Sequence, residues 1–177
     1  MSHPFDEAIA LAWQGADLFT GRTHPVWANM VGPYGGITAA SCMQAMLQHP
    51  QCLGEPVALT LNFAAALVDG TFELVARPAR TNRSSQHWVL ELRQSIEGAA
   101  QVMLTGTAIT AVRRPTWQAQ DCDLPQVAAP EPLPSTLMFD RVQWMRNYDM
   151  RVVSGPVPEV QDGRDVDSLT QLWLRDQ

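Results

Sequence analysis

The chain has 177 residues, of which 46% are apolar and 17% charged, and its net charge is −6. That length buries one core without disulfide or metal staples and is short for two. The acidic balance excludes a nucleic-acid partner, which needs a basic field to release counterions, but leaves room for a small anionic ligand held by a few arginines.

The opening MSHPFDEAIALAW has no basic segment followed by an apolar run, so no secretory leader is expected. No stretch reaches the roughly 20 apolar residues of a membrane span. Cys42, Cys52 and Cys122 form no CxxC pair. Reduced thiols and a cytoplasmic location are the expectation. No cluster has metal-ligand spacing, and neither metal nor cofactor is expected.

Phe5 to Trp13 is apolar with partial alternation, and Leu18 to His24 is a second extended run beyond Gln14-Gly15-Ala16-Asp17. The pair predicts a hairpin. From Thr23 to Gly54 there is no Asp, Glu, Lys or Arg. Within that stretch Gly35-Gly36 introduces a helix that Pro50 stops. Ala39, Ala40, Cys42, Met43, Ala45, Met46 and Leu47 leave it no polar stripe, which predicts burial on nearly all sides.

Strands are expected at Val57 to Phe63, Phe72 to Arg77, His87 to Arg93 and Gln101 to Val112, with a hairpin turn at Asp69-Gly70 and another turn at Glu97-Gly98. Trp88, Leu90 and Leu92 alternate with Glu91 and Arg93, so one face of that strand is apolar. A buried helix among antiparallel strands is the α+β solution. Residues 1–112 form this domain. Prolines at 115, 125, 130, 132 and 134 make 113–135 a linker or surface strap. In 136–177, Asn147 to Val153 and Leu169 to Arg175 predict two strands, separated by a loop with Gly155-Pro156 and Asp162-Gly163. Two strands form no core of their own.

The run Asn29-Met30-Val31-Gly32-Pro33-Tyr34-Gly35-Gly36 resembles the N-x-x-G-x-x-H-G-G signature that opens the central helix of hotdog thioesterases, with Tyr34 in the histidine position. With Leu61-Asn62-Phe63, Arg80-Thr81-Asn82-Arg83-Ser84-Ser85 and Leu92-Arg93-Gln94, the order resembles the first half of the acyl-CoA thioesterase II (TesB-like) family over residues 5 to 112. Tyr148-Asp149-Met150-Arg151 and Leu172-Trp173-Leu174-Arg175 resemble the opening of that family's second hotdog. The resemblance implies an α+β hotdog, a long helix wrapped by five or six antiparallel strands. It also implies hydrolysis of acyl-CoA to fatty acid and coenzyme A, and pairing with another hotdog, so a homo-oligomer is expected. The family's catalytic carboxylate and its Gln and Thr partners belong to the second half.

Thioester hydrolysis needs donors for the carbonyl oxygen and a group that activates water. Helix-terminal N–H groups supply the former, and Gly35 and Gly36 let substrate approach, or simply let the sheet pack closely. Gly36, Asn29 and Gln44 are the catalytic candidates; the alternative for Asn29 is a brace for the turn, and for Gln44, which could orient a water but as an amide is no base, a polar group satisfied in an interface. Tyr34, Gly35, Arg80 and Arg83 are the substrate-binding candidates, the arginines facing coenzyme A phosphates or solvent. The helix carries no carboxylate. The expectation is therefore an acyl-CoA thioesterase-like protein or, alternatively, a non-catalytic module that binds acyl-CoA or dimerises, including a double hotdog cut short of its catalytic carboxylate.

Overall fold

The computed structural model describes residues 3–136, 142–155 and 169–177. The chain divides into two compact units, Met1–Thr116 and Trp117–Gln177. In the first, helix α1 spans Pro4–Ala8, strand β1 Ala12–Gly15 and β2 Leu18–Arg22. Helix α2 covers Gly35–Gln48, and β3 (Glu55–Phe63), β4 (Thr71–Thr81), β5 (Ser85–Ile96) and β6 (Ala99–Ala111) follow. The six strands form one antiparallel sheet in the order β1-β2-β4-β5-β6-β3. With α2 packed against it, this is the expected α+β hotdog.

β5 organises the core. Its inward residues Gln86, Trp88, Leu90, Leu92 and Gln94 are all buried, as a period of two demands. The three apolar ones share one core cluster with Phe19, Leu74 and Leu104 from β2, β4 and β6 and with Cys42, Ala45 and Met46 from α2. The Trp88 indole N–H is satisfied by Thr110 Oγ1 at 3.0 Å. The two glutamines hold the loops at either end of the stripe. Gln86 accepts from Leu53 N–H at 2.9 Å and donates to the Gln51 carbonyl at 2.9 Å. Gln94 accepts from Val68 N–H at 2.9 Å and donates to the carbonyls of Val68 (2.8 Å) and Thr71 (3.2 Å).

Three expectations need correction. Residues 4–8 are helical rather than extended: His3 Nδ1 accepts the Phe5 N–H at 3.2 Å, Pro4 occupies the first turn, and Asp6 and Glu7 face its positive end. The Asp69-Gly70 turn closes no hairpin, because β3 pairs with β6 while β4 lies between β2 and β5. Gly70 is instead tied to Thr23, whose hydroxyl accepts its N–H at 2.9 Å. Helix α2 is buried on one face, through Ile37, Thr38, Ser41, Cys42, Ala45 and Met46. Ala39, Ala40, Met43 and Gln44 are half-exposed and Leu47 is exposed. The uncharged helix thus keeps an apolar outer face in the single chain.

The Glu97-Gly98 turn does form, joining β5 to β6 with both residues at positive φ (51° and 82°). In the second unit β7 (Tyr148–Ser154) and β8 (Gln171–Asp176) pair antiparallel. Pro156 and Asp162-Gly163, expected in the connecting loop, lie outside the described residues. A strap crosses one face of this ribbon. Arg151 Nη1 donates to the carbonyls of Pro130 (2.8 Å), Glu131 (3.3 Å) and Leu133 (3.2 Å), and Trp173 Nε1 to Ala128 at 2.9 Å. The proline-broken backbone has no ladder partner there, and side chains supply the bonds.

The buried Asp149 carboxylate takes ion pairs from Arg151 at 3.0 Å and Arg175 at 3.2 Å. The Ser135 hydroxyl, then Arg151 and Arg175, hold it below the ordinary carboxylate range against the upward pull of desolvation.

Replacing Gln94 by Leu strands the polar groups of Val68 and Thr71, and we expect a loss of about 1–3 kcal/mol in urea unfolding. For Asp149 the folded value is depressed, so its contribution is complete above the ordinary carboxylate range and disappears as pH falls through the folded value. Below about pH 4, Trp173 fluorescence should report loosening of the strap. An Asp149→Asn protein should lack that acid step.

Candidate functional site

Helix α2 starts where Tyr34, with φ −56° and ψ 133°, leaves the helical region. Its carbonyl accepts the N–H groups of Ile37 at 3.1 Å and Thr38 at 3.4 Å. A tight loop precedes it, closed by the Ala28–Pro33 bridge and by the Asn29 N–H donating to the Gly32 carbonyl at 2.8 Å. Gly32 sits at φ +67° against the Leu67 carbonyl, where a side chain would collide. Among the described residues, the N–H groups of Gly35 and Gly36 have no hydrogen-bond partner. They are two donors at the positive end of a 14-residue helix.

A cavity of about 340 Å³ opens at this terminus. Gly35 and Thr38 form its helix side, Val31 its loop side, and Phe63, Leu67 and Met103 its apolar wall. No lining residue carries a charge. Such a space holds hydrocarbon, and the amides beside it can polarise a carbonyl oxygen. It offers no group that can take a proton from water.

Of the residues predicted from sequence, Gly35 lines the cavity. Tyr34 lays its ring over Gly36, leaving no room for a side chain there. Asn29 stands exposed on the loop that brings in Val31 and does not line the cavity. Gln44 lies further along α2 on its half-exposed face, also outside the cavity. Arg80 and Arg83 are exposed at the β4–β5 turn, by the end of β5 where Gln86 holds the loop leaving α2. They are separated from Gly35 by the helix, about 21 Å long. Sequence reasoning passed over Phe63, Leu67 and Met103, because apolar residues look the same whether they line a cavity or fill a core, and Thr38, a single hydroxyl in the first turn of an uncharged helix.

It also passed over a polar pair made by buried His49 and half-exposed Asp17. His49 ends α2 just before Pro50, and its Nδ1 accepts the Gln51 N–H at 3.1 Å. Its Nε2 therefore carries the proton and donates to Asp17 Oδ1 at 3.2 Å. With both ring nitrogens engaged and the imidazole packed on Trp88 at 5.3 Å, the pair locks the far end of the helix and is no proton shuttle for the cavity. Among the described residues, no group of three His, Cys, Asp or Glu side chains could hold a metal ion, and no helix is long and apolar enough to cross a membrane.

Cys42 is the one nucleophile type on α2 besides Ser41 and Thr38. Burial pushes its thiol up to about 12, so it stays protonated and unreactive at neutral pH. At about pH 8, iodoacetamide should label the exposed Cys122 in the folded protein and spare Cys42 until urea unfolds it; mass spectrometry of the labelled peptides checks this.

Residues 23–111, half of the chain, match the family described as acyl-CoA thioesterase N-terminal domain. No protein of curated function matches the sequence. Among solved structures, a protein of unknown function with a hot dog fold from Alicyclobacillus acidocaldarius is 40% identical, with a TM-score of 0.87 over 99% of this chain and 63% of its own. Acyl-CoA thioesterase II TesB2 from Mycobacterium marinum is 16% identical, with a TM-score of 0.72 over 97% of this chain and 60% of its own. That second likeness is one of fold. The chain spans less than two thirds of the length of either structure. By its matched residues and its helix packed on a six-stranded antiparallel sheet, the chain belongs to the acyl-CoA thioesterase N-terminal domain family of hotdog proteins.

Proposed function

We propose that this chain serves acyl-CoA thioester hydrolysis as the half that binds. The acyl group enters the uncharged cavity, and its thioester oxygen faces the amides of Gly35 and Gly36. A carboxylate from a second hotdog activates the attacking water. The observation that carries this reading is the pairing of unpartnered helix-terminal donors with an apolar cavity. Strand β3 supports the arrangement, since among the described residues it pairs with β6 alone, with Val57 and Phe63 exposed along it. Edge pairing with another hotdog, including a second copy, closes such an edge. Arg80 and Arg83 then serve coenzyme A phosphates bound across that pairing.

A second reading, a non-catalytic module that binds acyl-CoA or dimerises, draws on the absence of a carboxylate from α2 and from the cavity lining. Calorimetry with acyl-CoA and assay of released thiol separate the two. We expect binding by the purified chain and thiol release near background. Release should rise when the remaining part of the Alicyclobacillus relative is supplied as a separate chain. Gly35→Val, which fills the cavity mouth beside Phe63, should weaken binding at least about tenfold. Binding with no release in any combination favours the module; no binding at all rejects the hydrolytic reading and the acyl-CoA-binding module, and leaves a module that only dimerises.

A further inference from the structure

Behind the cavity at the start of α2 lies a second hollow of about 10 Å³, close to the smallest space that admits a water molecule. Pro33, Thr38 and Leu67 line both spaces and so form the partition between them. Leu67 supplies the bulk of its hydrocarbon. It is 7% exposed and belongs to the core cluster that includes Phe72, which borders the inner hollow.

The backbone behind Leu67 is fixed from two sides. Gly32 presses against its carbonyl, and Gln94 grips both the N–H and the carbonyl of the next residue, Val68. The partition cannot withdraw by a loop movement without breaking those bonds. Of the polar groups around the inner hollow, Ser41, Thr38, Thr23 and His24 are engaged, and the exposed Arg22 borders it as well. Ser41 Oγ donates to the Ile37 carbonyl at 3.0 Å, Thr38 Oγ1 to the Tyr34 carbonyl at 3.5 Å, Thr23 Oγ1 accepts from Gly70, and His24 Nδ1 accepts from Val26 at 3.3 Å. With those bonds made, the hollow offers an alkyl tail the hydrocarbon of Ala8, Pro33, Ile37, Leu67 and Phe72, and Arg22, its one permanently charged lining residue, is exposed to water.

We infer that Leu67 is the end wall of the acyl cavity and sets the longest acyl chain this protein accepts, restricting it to short and medium straight-chain thioesters. This rests on the reading that the outer cavity holds the acyl group. About 340 Å³ is near the lower end for ligand cavities, and a fixed wall rejects a chain one methylene too long by roughly 10- to 200-fold.

The test uses S-alkyl coenzyme A thioethers with butyl, octyl, dodecyl and hexadecyl chains, which bind without being hydrolysed, and calorimetry on the full chain. Affinity of the unmodified protein should climb with chain length to a break and then fall. Leu67→Ala should move the break to longer chains and raise affinity for the first excluded length about tenfold or more. Leu67→Val should move it less, and covers the case in which the alanine protein is poorly folded. Leu67→Phe should move the break to shorter chains. A break unchanged in the valine and phenylalanine proteins overturns the wall while leaving acyl binding intact. Failure of every thioether to bind the unmodified protein overturns the acyl cavity itself, and the wall with it.

Discussion

The structure depends on the inward stripe of β5. Trp88, Leu90 and Leu92 remove one face of the sheet from water, and α2 fills the space they leave. An apolar stripe alone fixes neither the ends of the helix nor the loops that cross its tips. Gln86 and Gln94 do so by bonding to backbone groups at each end. Both are buried and fully engaged, the condition under which interior amides rigidify rather than destabilise. The loop carrying Leu67 and Val68, and with it the shape of the cavity, is set by the second of these glutamines.

Helix α2 meets two requirements that pull apart. Its inner face packs on the sheet, and its outer face stays free of charge although this chain leaves it partly open. A helix placed permanently against water acquires charged residues on that side. The uncharged outer face and the β3 edge are what a hotdog that pairs with another would keep, and they match the proposal that water activation comes from outside this chain.

Much of the fold was legible because its signals are local. The alternation around Trp88, the Gly-Gly before an uncharged run, Pro50 and the Glu97-Gly98 turn each set one element through short-range chemistry. The misreadings have the same origin. Phe5 to Trp13 looked extended because its apolar spacing is ambiguous over so few residues, and the cap from His3 decided for helix. Asp69-Gly70 looked like a hairpin because dipeptide chemistry carries no information about which strands it joins. The site was legible at Gly35 and its neighbours, where glycine has a backbone reason to be present. It was illegible at Leu67, whose role comes from lying between two hollows, a property of the tertiary arrangement.

The strand order also bears on how the molecule is assembled. The β4–β5 and β5–β6 pairings join segments adjacent in the chain, whereas Phe63 meets Leu104 and Leu18 meets Val75 across long loops. Loop-closure entropy makes such distant pairings the costly, late ones. The hydrocarbon chamber takes Phe63 from β3 and Met103 from β6, so it comes into being with the docking of the outermost strand. Anything that loosens that strand empties the chamber of its shape while the central meander stays folded, and occupancy by an alkyl chain would in turn hold the rim of the sheet closed.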